Sequence, residues 1–337
     1  MLPKRDIVAQ MSSATGVTRI LERGRIRTSL FVLNYHRVGD AARTIYDSGT
    51  FSCSAAEFDW QVGWLRQYFA IIPLDKAIEV IHGRSSLARN SVLLTFDDGY
   101  HDNYDIAFPI LRKHGVSGTF FLPTLFVGSD VLPWWDQIAR LVKTSTKQKI
   151  VLSYPTRMEF NLTEQLRPQA IRDLLNIFKS EKTEDSERFI CELAESCSST
   201  RVAQLKEPCF VTWQEVRQMT RAGMFVGSHT HSHKILSKLT YAEQLAELTT
   251  SKSILERELD TPIDVLAYPV GRKDSFSDET LKAAAAADYH TAFSFYSGVN
   301  SPGDIDFLDV KRIGVNQDRR TSFRFRLACL AATGREF

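Results

Sequence analysis

The stretch SVLLTFDDGYHDNY (residues 91–104) runs from six mostly apolar residues into two neighbouring aspartates, Asp97 and Asp98, and a glycine. The apolar part is typical of a buried strand. In folds built from parallel strands, side chains at the carboxyl ends of the strands lie beside open loops on a rigid support, where catalytic groups are held. An ordinary turn would also use Asp and Gly here. Neighbouring carboxylates on a strand point to opposite sides, so each aspartate is expected to have a different role.

Six further stretches have the same β-branched or aromatic character, and they are SLFVLNY (29–35), SGTFFLP (117–123), MFVGSH (224–229), DVLAYP (264–269), HTAFSF (290–295) and DVKRIGV (309–315). The segments between them, such as 55–69, 104–115, 213–223 and 241–260, have apolar residues at helical spacing. Alternating strands and helices predict a largely parallel sheet. Seven or eight such units favour an α/β fold closed into a (β/α) barrel.

One region, residues 137–207, interrupts this rhythm, because it is helical and charged and contains only KIVLSY (149–154) as a strand-like run. We interpret it as a helical insertion in a barrel that spans residues 29–316. Residues 1–28 are predicted to form a basic N-terminal helical segment and residues 317–337 a basic C-terminal helix.

The charge of the chain limits its partners. The 337 residues carry a formal charge of only +2, and no basic run alternates with aromatic residues, so a nucleic-acid partner is not expected. The two ends are more basic than the middle of the chain, which is consistent with peripheral contact with an anionic membrane or with ordinary solvated charge.

The five cysteines lack CxxC spacing, so neither a disulfide framework nor a cysteine zinc site is expected, and a reducing compartment fits best. No signal peptide or transmembrane segment is visible in the sequence. We therefore expect a cytoplasmic protein, with the inner membrane face as the place of any peripheral contact.

The stretch GSHTHSHKIL (227–236) places three histidines at alternate positions after a predicted strand. His229 and His233 are four residues apart and can converge on one ion if the chain turns after the strand, whereas His231 would point elsewhere. Asp97 or Asp98 would complete a site of two histidines and one carboxylate, and the other aspartate could act as a general base. Hydrogen-bonded histidines without a metal are the alternative.

TFDDGY followed by HTHSH resembles the first two motifs of the NodB-homology polysaccharide deacetylases, carbohydrate esterases that remove N-acetyl groups from amino sugars. The resemblance extends over about residues 30–316 and implies a distorted (β/α) barrel. It implies that Asp97 is the base and that Asp98, His229 and His233 bind a divalent ion, most commonly Zn²⁺, with Co²⁺ and Ni²⁺ as alternatives. It also implies that the backbone N–H of Tyr100 stabilises the oxyanion.

Two family motifs are altered in this chain. Where many members have R-x-P, with an arginine that orients the base, this chain has Ala267–Pro269. Arg312 is our candidate substitute, and Arg272 is the second candidate. The late L-x-H motif, which supplies the catalytic acid, is absent, since the last histidine is His290.

His36, at the end of the first predicted strand, is the candidate acid, and the alternative is a buried histidine bonded to a carbonyl. Trp134, Trp135 and Tyr268 are candidate sugar-stacking residues, although tryptophan is also common in cores.

The predicted function is therefore metal-dependent removal of N-acetyl groups from an amino-sugar oligo- or polysaccharide, such as a chitooligosaccharide or exopolysaccharide, free or lipid-linked. A metal-free barrel glycosidase is one alternative, but it needs a pair of carboxylates roughly 5 to 10 Å apart on different strands and leaves the histidine cluster unexplained. A non-catalytic sugar-binding relative is the second, since two family motifs are altered.

Overall fold

The fold was analysed in a computed structural model, which describes residues 4–23, 28–42, 44–199 and 209–334. Parts of the predicted terminal segments (1–3, 24–27 and 335–337) and the end of the predicted insertion (200–207) lie outside the described residues.

The strands are β1 (Leu30–Tyr35), β2 (Arg37–Val38), β3 (Phe51–Cys53), β4 (Ala70–Ile71), β5 (Ser91–Asp97), β6 (Thr119–Leu122), β7 (Lys149–Leu152), β8 (Met158–Asn161), β9 (Phe225–Ser228), β10 (Val265–Ala267), β11 (Thr291–Phe293) and β12 (Ile313–Gly314). The helices are α1 (Lys4–Ala14), α2 (Val17–Arg23), α3 (Ala55–Tyr68), α4 (Leu74–Ile81), α5 (Phe108–His114), α6 (Trp134–Thr144), α7 (Arg167–Lys179), α8 (Ser186–Ser196), α9 (Trp213–Arg221), α10 (Tyr241–Leu259), α11 (Asp278–Ala286) and α12 (Arg320–Thr333).

The main sheet has the strand order β11-β10-β9-β6-β5-β1-β12, with β4 beside β5, and its strand pairings are parallel. The predicted barrel of about seven parallel strands is therefore confirmed as a curled sheet with flanking helices. Because the strands are parallel, their carboxyl ends lie along one rim.

Successive side chains of a strand point alternately into the barrel and towards the surrounding helices. In β1, Leu30 and Val32 belong to the apolar cluster of the interior, whereas Phe31 and Leu33 pack under the helices. Because every second side chain points the same way, Asn34, near the carboxyl end of β1, also points into the barrel. In β5 the inward face runs from Leu93 to Asp97.

The segment 309–315 joins the two ends of the sheet. Val310 forms a parallel bridge with Phe293 of β11, and three residues later Ile313 pairs with Leu33 of β1. Arg312 lies between these two pairings, and its side chain is completely buried.

The region between β6 and β9 contains α6, α7 and α8 and the antiparallel pair β7–β8. These elements pack around an apolar cluster that includes Trp135 and Phe189 and that also takes in Tyr100 and Phe210 from the barrel side. The sequence predicted β7 but not β8, because MEFN is short and only Phe160 within it is buried.

The terminal helices pack against each other. Ala9 of α1 lies in one apolar cluster with Phe325 and Cys329 of α12, and the hydroxyl of Ser322 donates a hydrogen bond to Asp6. Among the described residues, no helix combines the length and apolar character that crossing a membrane requires.

Gly227 in β9 tests how tightly the barrel interior is packed. A Cβ atom there would lie 2.5 Å from Cε1 of Phe121 and 2.9 Å from Cγ2 of Val265. We expect Gly227→Ala to lower the free energy of unfolding by about 1–3 kcal/mol, because overpacking displaces the ring. Urea denaturation measures the change.

Gly63→Ala is the matched control. Gly63 lies in α3, where an added Cβ would be 3.5 Å from His114, an ordinary contact. This substitution should raise stability by roughly 0.5–1 kcal/mol, as alanine does within a helix. Equal urea midpoints for Gly227→Ala and the unaltered protein would show that the interior has room.

Candidate active site

A cleft opens at the carboxyl ends of the strands and has a cavity volume of about 280 Å³. It brings together most of the residues that the sequence singled out. Its lining residues are His36, Asp47, Gly49, Thr50, Asp97, Asp98, Trp134, Trp135, Lys179, His229, His233, Val270, Arg272, Phe295 and Asn316.

Asp97 forms a two-pronged ion pair with Arg312 inside the barrel. Nη1 of the guanidinium lies 2.7 Å from Oδ1 and Nη2 lies 2.8 Å from Oδ2, and Arg312 and Asp97 are 0% and 2% exposed. Burial acts to raise the pKa of Asp97, but the charge and hydrogen bonds of Arg312 outweigh it and hold that pKa below its usual range. Asp97 is therefore ionised at neutral pH.

The orientation of Arg312 depends on groups from other strands. Its Nε donates to the carbonyl of Ser294, and its Nη1 also donates to the side-chain oxygen of Asn34. The amide nitrogen of Asn34 donates in turn to Oδ2 of Asp97 at 3.0 Å. The role of Asn34 was not predicted, although its position in β1, two residues after the inward-facing Val32, places its side chain inside the barrel.

The second arginine candidate, Arg272, lines the cleft without reaching the aspartate. Its guanidinium pairs with Asp274 at 2.8 and 3.0 Å, and its side chain is 42% exposed. Of the two predicted partners for Asp97, the structure brings only Arg312 into contact with it.

A left-handed backbone conformation turns Asp98 into the same cleft as Asp97. The φ angle of Asp98 is 73°, so the chain leaves the strand geometry there and the alternation of side chains ends. Thr230, His233 and Val270 also have positive φ, and positive φ is rare for a β-branched residue such as Val270. Such conformations persist only where the surrounding structure enforces them, and they cluster at functional sites.

Three possible ligand atoms converge beside Asp97. One oxygen or nitrogen each from Asp98, His229 and His233 lie within 4.8 Å of one another, and these side chains are buried. Oδ1 of Asp98 is 3.8 Å from Nε2 of His229 and 3.4 Å from Nε2 of His233.

The protonation of this cluster fits a cation. Nδ1 of His229 lies 2.6 Å from the carbonyl oxygen of Ala267, which can only accept, so Nδ1 carries the proton and Nε2 presents a lone pair to the cluster. Burial lowers the pKa of both histidines, so both are neutral.

Asp98 adds a carboxylate to this cluster, and its Oδ1 makes no hydrogen bond although it is buried. Burial and the neighbouring carboxylates raise the pKa of Asp98. An oxygen of one carboxylate and nitrogens of two neutral imidazoles are ligands that suit a divalent metal ion.

His231 points away from this cluster. Its Nδ1 is 2.9 Å from the hydroxyl of Thr124, and its backbone N–H donates to Glu247 of α10. The same carboxylate accepts the backbone N–H of Ser232, so Glu247 anchors the loop that carries the histidines. Nothing in the sequence indicated this role for Glu247.

His36 lines the cleft at the end of β1 and contacts the ring of Phe295, with 5.6 Å between ring centres. Burial lowers the pKa of His36 to about 4, despite the attraction of the Asp97 carboxylate. The imidazole is therefore neutral at pH 7.

Trp134 and Trp135 form one wall of the cleft. The ring of Trp135 lies 4.5 Å from that of His233, and Trp134 stacks on Phe178 at 4.4 Å. Tyr268 does not join them, and the expectation that it contacts sugar is corrected. It is 0% exposed, because it directly follows β10 on the side that faces the helices, where it stacks on Phe276 and donates to the carbonyl of Leu308.

The loop after Asp98 is fixed by Tyr100. The hydroxyl of Tyr100 donates to Asp136 at 2.7 Å and accepts a hydrogen bond from Nε1 of Trp135. The pairing of Tyr100 with Phe210 uses the neighbouring N–H groups of His101 and Val211, so the N–H of Tyr100 points away from that strand. Nothing in the sequence indicated the contact between Tyr100 and Asp136.

Comparisons with known proteins show the family and the fold of the chain. The family model for polysaccharide deacetylase matches residues 84–148 and 164–292, more than half of the chain. The structure of IcaB from Ammonifex degensii is 20% identical, with a TM-score of 0.58, and the match covers 91% of this chain and 98% of that one. That likeness shows the fold.

Two curated relatives are similar in sequence. One is the putative polysaccharide deacetylase YxkH of Bacillus subtilis, 22% identical over 80% of this chain and 66% of its own length. The other is a poly-beta-1,6-N-acetyl-D-glucosamine N-deacetylase of Staphylococcus aureus, 30% identical over 33% of this chain and 42% of its own length. With the family model matching most of the barrel, the chain belongs to the polysaccharide deacetylase family.

Proposed function

We propose that this protein is a metal-dependent hydrolase that removes N-acetyl groups from amino sugars in an oligo- or polysaccharide. The observation that carries the proposal is the ionised Asp97, held by Arg312, beside the converging ligand atoms of Asp98, His229 and His233. Base and ion would then act on the same face of one acetamide group.

The proposed division of labour gives each aspartate one role. A divalent ion held by Asp98, His229 and His233 would polarise the acetamide carbonyl and lower the pKa of the attacking water. Asp97 accepts the proton of that water, and it can do so at neutral pH because Arg312 keeps it ionised. Zn²⁺ suits the two imidazoles and one carboxylate, with Co²⁺ and Ni²⁺ as alternatives.

Arg312 acts as a positioning residue in this proposal. It holds both oxygens of Asp97 and, through Asn34, couples the carboxylate to β1. An arginine on a different strand thus takes the role that the R-x-P arginine has in other members. The N–H of Tyr100 is the proposed donor to the oxyanion.

His36 is the proposed acid for the departing sugar amine. Its position on the cleft wall supports the assignment. Its lowered pKa makes protonated His36 a strong acid but a scarce one at neutral pH, so the assignment depends on position alone.

The substrate proposal combines the cleft with the relatives. A cavity of about 280 Å³ lies at the small end of the range for ligand pockets and suits a single sugar unit beside the base. Trp134 and Trp135 offer aromatic faces for that unit. The staphylococcal relative is named for its action on poly-beta-1,6-N-acetyl-D-glucosamine, which supports an N-acetylated exopolysaccharide as the substrate class.

The two alternatives fit the geometry less well. A glycosidase needs two carboxylates on opposite sides of a glycosidic bond, whereas Asp97 and Asp98 are sequence neighbours and Asp97 is held by Arg312. A non-catalytic sugar-binding relative would not need an ionised carboxylate beside a cluster of ligand atoms.

Asp97→Asn should lower kcat/KM for amine release from N-acetylglucosamine oligomers by about a hundredfold or more, because the base is lost. His36→Gln should lower it as well if His36 is the acid. Fluorescamine detection of free amine measures both, and thermal melting confirms that each variant is folded. Near-normal turnover of His36→Gln would refute the acid assignment and leave Asp97 as base.

Arg312→Met should lower the free energy of unfolding by about 3–5 kcal/mol, since it leaves the Asp97 carboxylate buried without its partner. Arg272→Met is the matched control and should change stability by no more than about 0.5 kcal/mol, because its ion pair is exposed. Urea denaturation compares them. Similar losses for both variants would contradict the role of Arg312.

Metal content distinguishes the three histidines. After reconstitution with Zn²⁺ and dialysis, elemental analysis should find bound metal in the unaltered protein and in His231→Ala. His229→Ala and His233→Ala should retain little, because each removes a ligand. Loss of metal from His231→Ala alone would overturn the ligand assignment.

A further inference from the structure

We propose that Lys179 binds an anionic group, a phosphoryl or a carboxylate, that the substrate carries next to its acetylated sugar. The inference rests on the proposed function, because Lys179 lines the same cleft as Asp97 and Asp98. It implies a substrate that is negatively charged beside the reacting unit, unlike a polymer of N-acetylglucosamine alone.

Lys179 is a charged group without a counter-ion in the cleft. Within the described residues, its ammonium has no ion pair or hydrogen bond, and its recorded contact is with the ring of Trp134, 5.7 Å from Nζ to the ring centre. Burial lowers the pKa of Lys179. A partly buried lysine without a partner has lost some of its hydration, so a ligand that supplies the negative charge would stabilise it.

Helix capping does not account for its position. Lys179 is the last residue of α7, where a cation can interact with the final carbonyl groups. That role is filled by Lys238, whose ammonium lies 2.6 Å from the carbonyl oxygen of Phe178 and 2.8 Å from that of Thr183.

The same contacts hold Lys179 in place. Phe178, its neighbour, stacks on Trp134 in the cleft wall, and its carbonyl is fixed by Lys238. The end of α7 is therefore held by α6 on one side and by Lys238, which follows β9, on the other, and the ammonium is presented to the cleft from a rigid support.

The acidic groups of the cleft are otherwise engaged. Asp97 is paired with Arg312, and Asp98 belongs to the ligand cluster. Asp47 accepts the N–H of Gly49 and raises the pKa of Lys179 without reaching ion-pair distance. The other cation of the lining, Arg272, already has Asp274 as its partner. Lys179 is thus the group of the lining best able to receive an anion.

Two sources could supply that anion. A sugar linked to a phosphate carrier presents a phosphoryl group at the anomeric carbon, and an acidic polysaccharide presents the carboxylate of a neighbouring uronic acid. An ammonium binds either as a compact point charge.

The test compares ligands that differ only in the anion and that the enzyme does not consume. Zn²⁺-reconstituted protein is titrated calorimetrically with glucosamine and with glucosamine 1-phosphate. We expect Lys179→Met to weaken binding of the phosphorylated sugar by about tenfold or more and that of glucosamine by less than about twofold. Lys179→Arg should retain most of the affinity, and Lys182→Met, an exposed lysine three residues away, should behave as the unaltered protein.

If the phosphate bound only to the metal, it would contribute equally to the affinity of the unaltered protein and of Lys179→Met, so the comparison of the two proteins removes this contribution. A disaccharide of glucosamine and glucuronic acid, titrated in the same way, tests the carboxylate. The anion, phosphate or carboxylate, whose binding Lys179→Met weakens more is the one that the substrate carries. If the substitution weakens the charged and uncharged ligands alike, or neither, the proposal is wrong.

Amine release separates this inference from the proposed function. N-acetylglucosamine and N-acetylglucosamine 1-phosphate are supplied to the unaltered protein, with N-acetylglucosamine oligomers alongside. If no amine is released from any substrate, the proposed function fails while the titrations still report on Lys179. If amine is released but Lys179→Met has no selective effect on charged ligands, only the inference fails.

Discussion

The buried ion pair between Arg312 and Asp97 is the interaction on which the cleft depends. Two charges buried this deeply are tolerated only when they pair with each other, and Asn34 and the carbonyl of Ser294 accept further hydrogen bonds from Arg312. The pair forms where Val310 and Ile313 join the two ends of the sheet. The segment that joins the two ends of the sheet therefore also carries the charge that keeps Asp97 ionised.

The second wall of the cleft is built by the region between β6 and β9. Its apolar cluster takes in Tyr100 from the loop after Asp98, and Asp136 accepts both the Tyr100 hydroxyl and the N–H of Asp47. The Trp135 ring extends this packing to His233. The cluster of Asp98, His229 and His233, the loop of Tyr100 and the tryptophan wall of the cleft are consequently one packed unit, so we expect a substitution in the wall to disturb the cluster as well.

Most of the fold could be predicted from the sequence, because the barrel strands are short buried runs separated by amphipathic helices. The alternation of side chains in β1 would also have placed Asn34 inside the barrel. The alternation in β10, continued by one residue, would have placed Tyr268 on the side of the helices. Asp136 and Glu247 could not have been found, since their contacts join segments whose approach only the folded chain defines. Strand β8 was missed because a single buried residue gives no pattern.

Arg312 and Asp97 are 215 positions apart in the chain. Bringing two such distant residues together costs loop-closure entropy, and contacts of this range form late in folding. Until the segment around Arg312 docks, Asp97 has no partner to orient it or to offset the effect of burial on its pKa. The molecule therefore acquires the paired and oriented carboxylate of its proposed base only as its tertiary structure is completed, and partly folded forms, whose sheet still has an open edge, lack that geometry.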